Sequence, residues 1–322
     1  MIKILQIRQN KPGGTDTYCR GLQRLLINDD ECQIMPVTDI PQQASRLFHY
    51  SYRDSDLRPF IAEADIVHVN GYTAQGTIDA MRLAHGMGKK VVYTAHFHPF
   101  SYLLHPMAGR LFFFLKMKPA IQHYADAVTT INNEDTRFFQ SIHPRVIQIP
   151  HWDNDAQNQE PAPMIRNPKM ILFVGRIDDH VKGFDQLSAL PEGQYDIHCV
   201  GKGRMPFLRS DITHHPEMST KQLRKLYQQA ALLVVPSKYE AFSFVTLEAL
   251  VQGTPVVMSD RVRIADYLNG AKGYAIYRYG NSLDFINKVA QTLGTNVDVA
   301  TIRERFDPQR IIRQYKQLYL SL

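Results

Sequence analysis

The chain is predicted to be an α/β protein built from two doubly wound, Rossmann-like domains facing across a cleft. Three observations predict this. Short apolar runs alternate with amphipathic segments, and the alternation occurs twice. A polar stretch rich in proline, with no periodicity, separates the two series. The length of 322 residues, with 44 % hydrophobic and 21 % charged residues, is enough for two cores of ordinary globular composition.

The first series opens with the strand "IKILQI", the loop "NKPGGT" and the helix "DTYCRGLQRLLI". The runs "CQIMPV", "DIVHVN", "KVVYTA", "AVTTI" and "RVIQIP" follow, with helices predicted over "TAQGTIDAMRLAHGMG" and "NEDTRFFQSI". These runs are apolar throughout rather than alternating, as parallel strands covered on both faces are. Residues 1–150 are therefore assigned to a first domain, and "HWDNDAQNQEPAPMIRNP", 151–168, to a linker. A second domain, 169–306, holds "KMILFVG", "FDQLSAL", "YDIHCVG", "TKQLRKLYQQA", "ALLVVPS", "TLEALVQG" and "PVVMSD". The closing amphipathic segment 307–322 reads as a helix that rejoins the first domain.

The net charge of +6 is spread evenly over both halves. Mild basicity suits phosphate-bearing ligands or an anionic membrane face. The lack of a long Lys/Arg block argues against nucleic acid. Cys19, Cys32 and Cys199 are scattered and without ligand spacing, which points to a reducing, cytoplasmic location. "MIKILQIRQN" reads as a strand rather than a signal peptide, and no run of 18 apolar residues offers a membrane span.

The chemistry concentrates in "VVPSKYEAFSFVTLEALVQGTPVVMSD", 234–260. A buried strand ends at Pro236. "KYEAFSF" is a loop, Ser243 is a plausible N-cap, and Gly253 closes the helix. Glu240 then lies beyond a strand's carboxyl end, where open α/β sheets bind ligands. Glu248 falls in the second turn of the helix, whose N-terminus offers free N–H groups. Carboxylates accept short, strong hydrogen bonds from sugar hydroxyls. Upstream, "FVGRIDDHVKGFDQL" places Arg176, Lys182 and Gly183 around a second helix start, an arrangement suited to a diphosphate. Gly201 and Gly203 end a third strand.

The motifs "GRIDDHVKG", "CVGKG" and "PSKYEAFSFVTLEALVQGTPVV", in this order, resemble the retaining GT-B glycosyltransferases of the large, family 4-like group with two glutamates seven residues apart, here Glu240 and Glu248. The first half resembles them more loosely, through Gly13–Gly14, "ADIVHVNG", "VVYTAHFHPF", "ADAVTTIN" and "VIQIPHWDND". The resemblance implies that 1–150 is the acceptor side and 169–306 the nucleotide-sugar donor domain. Arg176 and Lys182 would hold the donor diphosphate, Glu248 the ribose and Glu240 the sugar. Backbone from Ala241 to Phe244, through Phe242 and Ser243, would touch sugar or phosphate. Gly175, Gly183, Gly201 and Gly203 would line the donor pocket, Gly13 and Gly14 would close over it, and His96 would approach the transferred sugar. Ala241 and Ser243 stand where relatives often carry glycine.

The expected activity is a metal-independent, retaining hexosyl transfer from a nucleotide-diphosphate sugar to a saccharide or lipid-linked acceptor, in polysaccharide or glycolipid synthesis. No cofactor is expected. The alternatives are a nucleotide-sugar epimerase or hydrolase, and a non-catalytic nucleotide-sugar-binding partner. "DND", 153–155, has the Asp-x-Asp form of a metal site but lies in the linker. His96 and His98 have strand spacing but no third ligand, so His98 is assigned a neutral packing role. The apolar and basic segment 105–118 reads first as a core helix with exposed lysines. Its second reading is a peripheral membrane contact, which would place the protein at the inner face of the cell membrane.

Overall fold

A computed structural model of the chain describes every residue except 11–12, 37–38, 46–48, 72–73, 97, 100–105, 154–164, 208 and 217. It divides into two compact units, Met1–Asn154 with Pro308–Leu322, and Asp155–Asp307. Each unit is built on its own six-stranded sheet, parallel throughout.

In the first unit the chain runs through β1 (Ile2–Arg8), α1 (Gly14–Leu26), β2 (Cys32–Ile34), β3 (Gln43–Ser45), β4 (His49–Ser51), α2 (Asp54–Ala62), β5 (Ile66–Gly71), α3 (Gln75–Gly86) and β6 (Lys90–Ala95). It continues through α4 (Pro106–Phe112), a π turn (Phe113–Met117), α5 (Lys118–Tyr124), β7 (Ala127–Thr130), α6 (Asn133–Gln140) and β8 (Val146–Gln148). The sheet order is β2-β1-β5-β6-β7-β8, while β3 and β4 form a separate antiparallel hairpin. Strand order reverses between β1 and β5. One face of the sheet is covered by a core that includes Leu5, Val67, Val91, Met81, Phe113 and Ile121. The other is covered by Tyr18, Leu22, Trp152 and the C-terminal helix Pro308–Leu320 through Ile311, Tyr315 and Tyr319. Lys316 of that helix also bonds Asp29 at 2.9 Å.

The second unit contains β9 (Asn167–Val174), a 3₁₀ turn (Phe184–Ala189), β10 (Asp196–Val200), β11 (Ile212–His215), α7 (Thr220–Gln229) and β12 (Ala230–Val235). Then come α8 (Phe244–Val251), β13 (Val256–Ser259), a 3₁₀ turn (Arg263–Tyr267), β14 (Tyr274–Tyr277), α9 (Ser282–Thr292) and α10 (Val299–Arg305). The order β11-β10-β9-β12-β13-β14 is that of the dinucleotide-binding folds. The chain leaves β9 toward one edge and returns at β12 to build the other. The carboxyl ends of β9 and β12 therefore flank the switch point of this unit.

Two sequence expectations change. The predicted helix "FDQLSAL" is only the 3₁₀ turn, because Leu190 precedes Pro191, which disfavours helical backbone, and is extended (ψ 138°). The predicted linker 151–168 lies largely outside the described residues, but both its described ends are structured. Trp152 is 2 % exposed in the first core, and β9 begins at Asn167. Arg166 binds the carbonyls of Tyr227, Ala230 and Gln252 and the hydroxyl of Thr254, at 2.8 to 3.2 Å. One guanidinium thus satisfies backbone acceptors at the ends of α7 and α8.

Candidate functional site

In the second unit, the loops after β9 and β12 are bonded to one another. Lys238 N–H donates to Val181 O at 2.7 Å, and Gln186 Nε2 donates to Pro236 O at 3.1 Å. Gly183 sits in left-handed backbone (φ 69°), and a Cβ there would lie 1.9 Å from Pro236 O. Only glycine allows this approach. Gly201 is similar, since its Cβ would lie 1.9 Å from Gly175 O, and Gly203 meets Asp178. These three glycines were expected to line the donor pocket, and each lets the chain pass close to its own backbone. Gly175 lies against the Lys182 stem, at 3.5 Å.

Across the switch point, Lys182 Nζ donates to Glu240 Oε1 at 3.0 Å, with the side chains 32 % and 12 % exposed. The Glu240 charge raises the Lys182 pKa, against desolvation and the nearby Arg176. Ser237 Oγ donates to the same oxygen at 2.7 Å. Among the described residues no group donates to Oε2. The Glu240 backbone is fixed as well: its N–H donates to Arg261 O at 3.1 Å and its carbonyl accepts from Arg263 N–H at 2.9 Å.

Arg176 does not share this pairing. It is 58 % exposed and bonds Asp179 at 2.5 Å. The predicted cation pair at a helix start is therefore corrected in form: the backbone beside Lys182 is a six-residue 3₁₀ turn, too short for an appreciable dipole. The helix beyond β12 has eight residues. Ser243 caps α8, its Oγ accepting from the Thr246 N–H at 3.4 Å and from the Thr246 hydroxyl at 2.9 Å. Ser243 has φ 132° and is the one non-glycine with positive φ among the described residues. That conformation is strained for a residue with a Cβ. Phe242 turns its ring inward, onto Phe244 and Phe306 at 5.6 and 5.7 Å, so backbone is what this residue can offer a ligand. Ala241 beside it is buried.

Glu248 is held from α7, where the Tyr227 hydroxyl donates to its Oε2 at 2.9 Å. Burial and the Glu248 charge push the Tyr227 pKa well up, so it stays a donor. Ser237, Asp179 and Tyr227 were not read from the sequence. Ser237 stands three residues before Glu240, a local spacing that was available. Tyr227 is 21 positions from Glu248, on a neighbouring helix, and carried no signal.

In the first unit, Gly13 (φ 154°) precedes α1, and a Cβ there would meet nothing within 4 Å. Gly14 is the first residue of α1 and exposed. His96 follows β6 and is 5 % exposed, its Nε2 3.1 Å from Asn70 Oδ1. It stacks on His151 at 5.8 Å and meets Tyr18 edge-on at 4.9 Å. Burial pushes its pKa down to about 3, so the imidazole is neutral. His68 behind it, pushed to about 3 by burial and by His96, bonds Tyr319 at 2.7 Å and Thr94 at 2.5 Å. His98 is not simply packed, because its Nδ1 lies 2.8 Å from the fully buried Asp135. Of "DND", residues 154 and 155 lie outside the described residues, as does residue 105 of the apolar and basic segment.

Comparison with known proteins completes the description. Over 123 residues the chain is 32 % identical to an uncharacterized glycosyltransferase of Methanocaldococcus jannaschii, covering 34 % of this chain and 31 % of that one. It is 22 % identical over 228 residues to the alpha-maltose-1-phosphate synthase of Mycobacterium tuberculosis, 60 % of this chain and 59 % of that one. The chain thus spans less than two thirds of these curated relatives. Sucrose-phosphate synthase from Thermosynechococcus elongatus superposes with a TM-score of 0.71 at 20 % identity, over 100 % of this chain and 99 % of that one. Anabaena HepE, solved in complex with UDP and glucose, superposes with a TM-score of 0.70 at 16 % identity over the whole of both chains. The fold is that of the GT-B glycosyltransferases, with two Rossmann-like domains, and residues 168–295, which contain the Lys182–Glu240 pair, match the family model described as "Glycosyl transferases group 1".

Proposed function

We propose that the chain is a retaining glycosyltransferase that moves a hexosyl group from a nucleotide-diphosphate sugar to a saccharide or lipid-linked acceptor in polysaccharide or glycolipid synthesis. The observation that carries this reading is the Lys182–Glu240 pair across the switch point, with Glu240 Oε2 left for a sugar hydroxyl. The matching family model and the UDP and glucose held by HepE support the donor class.

In the proposed reaction the bond between the sugar's anomeric carbon and the diphosphate oxygen breaks, and the acceptor oxygen bonds that carbon on the same face. The acceptor proton passes to a donor phosphate oxygen. Lys182, aided by Arg176, stabilises the charge that develops on the leaving diphosphate. Glu240 and Glu248 hold sugar and ribose hydroxyls, and Ser243 and α8 present backbone donors. Metal independence is part of the proposal: Lys182 and Arg176, released from Glu240 and Asp179 toward the diphosphate, would supply the countercharge.

Thermal shift with a panel of nucleotide sugars tests the donor class, since a bound donor raises the melting temperature by mass action. Stabilisation by at least one donor, lost in Lys182→Ala, is the expected result; no response to any donor overturns the reading. Product anomers identified by NMR test retention, and inversion refutes it. Activity is expected to survive EDTA. Abolition restored by manganese would require a metal in the reaction.

A further inference from the structure

Two donors meet at Glu240 Oε1, Lys182 Nζ at 3.0 Å and Ser237 Oγ at 2.7 Å. The Glu240 side chain is only 12 % exposed, and a carboxylate so placed is costly unless donors satisfy it. The two donors differ in how far they can move. Lys182 is a cation on a flexible stem, 32 % exposed, and the proposed reaction needs it at the diphosphate. Ser237 is neutral and 1 % exposed, and its short side chain follows its backbone.

That backbone is tied at three successive residues. Pro236 O accepts from Gln186 Nε2 at 3.1 Å, Ser237 O accepts from the Ser259 hydroxyl at 2.5 Å, and Lys238 N–H donates to Val181 O at 2.7 Å. Ser259, at the end of β13, is itself fully buried. Its Oγ also accepts from Arg261 N–H at 3.2 Å, and Arg261 O in turn takes the Glu240 N–H. The bond from Ser237 to Glu240 therefore joins two residues whose backbones are both fixed from the loop beyond β13. A glutamate carboxylate turns readily about its last side-chain torsion. A fixed hydroxyl on Oε1 stops that rotation and so sets the direction of Oε2, to which no described residue donates.

We infer that Ser237 is a positioning residue for the donor sugar: its hydroxyl keeps Oε1 when Lys182 leaves for the diphosphate, and so holds Oε2 toward a sugar hydroxyl. This role rests on the proposed assignment of Glu240 to the sugar and Lys182 to the diphosphate. A nucleoside diphosphate without its sugar has no use for Ser237, whereas the nucleotide sugar depends on it.

The test is isothermal titration calorimetry of the full chain with UDP-glucose, UDP-N-acetylglucosamine, GDP-mannose and ADP-glucose, each beside its nucleoside diphosphate. Ser237→Ala is expected to bind the best nucleotide sugar about tenfold more weakly, as loss of a hydrogen bond to a charged group does. Its affinity for the nucleoside diphosphate is expected to stay within about twofold of wild type. Glu240→Ala alone and Glu240→Ala with Ser237→Ala are expected to bind the nucleotide sugar alike within about twofold, because Ser237 then has no carboxylate to hold. If Ser237→Ala does not fold, Ser237→Cys, whose thiol is a weak donor, is read in the same way. Equal losses for both ligands overturn the role and leave Ser237 a structural part of the loop, and a further loss in the double variant overturns it too. Wild-type affinities in Ser237→Ala overturn this role alone. A wild-type chain that binds no nucleotide sugar overturns the donor reading with it.

Discussion

The carboxyl ends of the two sheets invite comparison, because both units are six-stranded, parallel and doubly wound. In the second unit the chemistry lies in loops, where Lys182 and Glu240 form a partly exposed pair. In the first it lies inside the fold: His68, His96 and His151 are 0, 5 and 4 % exposed and packed around Tyr18. The glycines differ in the opposite sense. Gly183 and Gly201 press on the fold's own carbonyls, whereas Gly13 borders open space. One topology therefore supports two ways of arranging polar groups. One keeps charge where a ligand can exchange for solvent, and the other keeps neutral rings where water does not reach.

The largest effect that would break this contrast is at Lys182. Lys182→Ala is expected to lower turnover by roughly 10²- to 10³-fold, as loss of a transition-state donor does. Steady-state kinetics with the best donor checks this, and near-normal turnover removes Lys182 from the mechanism. Next comes Gly183→Ala, which combines left-handed backbone with a clash against a carbonyl. Chemical denaturation is expected to show about 2 to 4 kcal/mol of lost stability, while Gly13→Ala, with no steric clash, costs about 1 kcal/mol.

The buried histidines predict acid sensitivity. A folded-state pKa near 3 for His68 and His96 lies below the ordinary value near 6.5, so the fold favours the neutral ring. That stability is fully present above pH 6.5 and is lost as pH falls toward 3. Linkage gives about 1.4 kcal/mol per pH unit for each such ring. Urea titrations from pH 7 to 5 are expected to show the decline, and His96→Gln should reduce its slope. A flat profile would show that these rings are not held neutral.

The two smallest effects sharpen the comparison at single bonds. Tyr227→Phe removes the donor to Glu248 and is expected to cost about 1 kcal/mol and to raise the donor KM a few-fold with little change in kcat. Ser243→Gly relieves a strained φ worth about 1 to 3 kcal/mol and gives up a cap that glycine replaces at a cost of only a few tenths. A net gain in melting temperature is the expected result.

The fold was legible where its strands are continuous apolar runs, as in "ALLVVPS" and "DIVHVN". β11 and β14 were not read. The first, "ITHH", is an edge strand of mixed polarity, and the second, "YAIY", is a four-residue edge strand, and edges need not be apolar on both faces. Glu240, Lys182 and the Ser243 cap were readable because strand end, loop and helix start follow one another in sequence. The partners that orient them were not, because Tyr227 reaches Glu248 through helix packing and Arg176 turns to Asp179 rather than to Lys182. The carbonyls that Gly183 and Gly201 press against were not legible either, because they come from loops distant in sequence.

Arg166 ties together elements far apart in the sequence. Through the carbonyls of Tyr227 and Gln252 this single side chain moors both helices that position Glu248. A substitution at that one point would therefore free the carboxyl ends of two helices at once, and with them the supports of a carboxylate that Arg166 never touches.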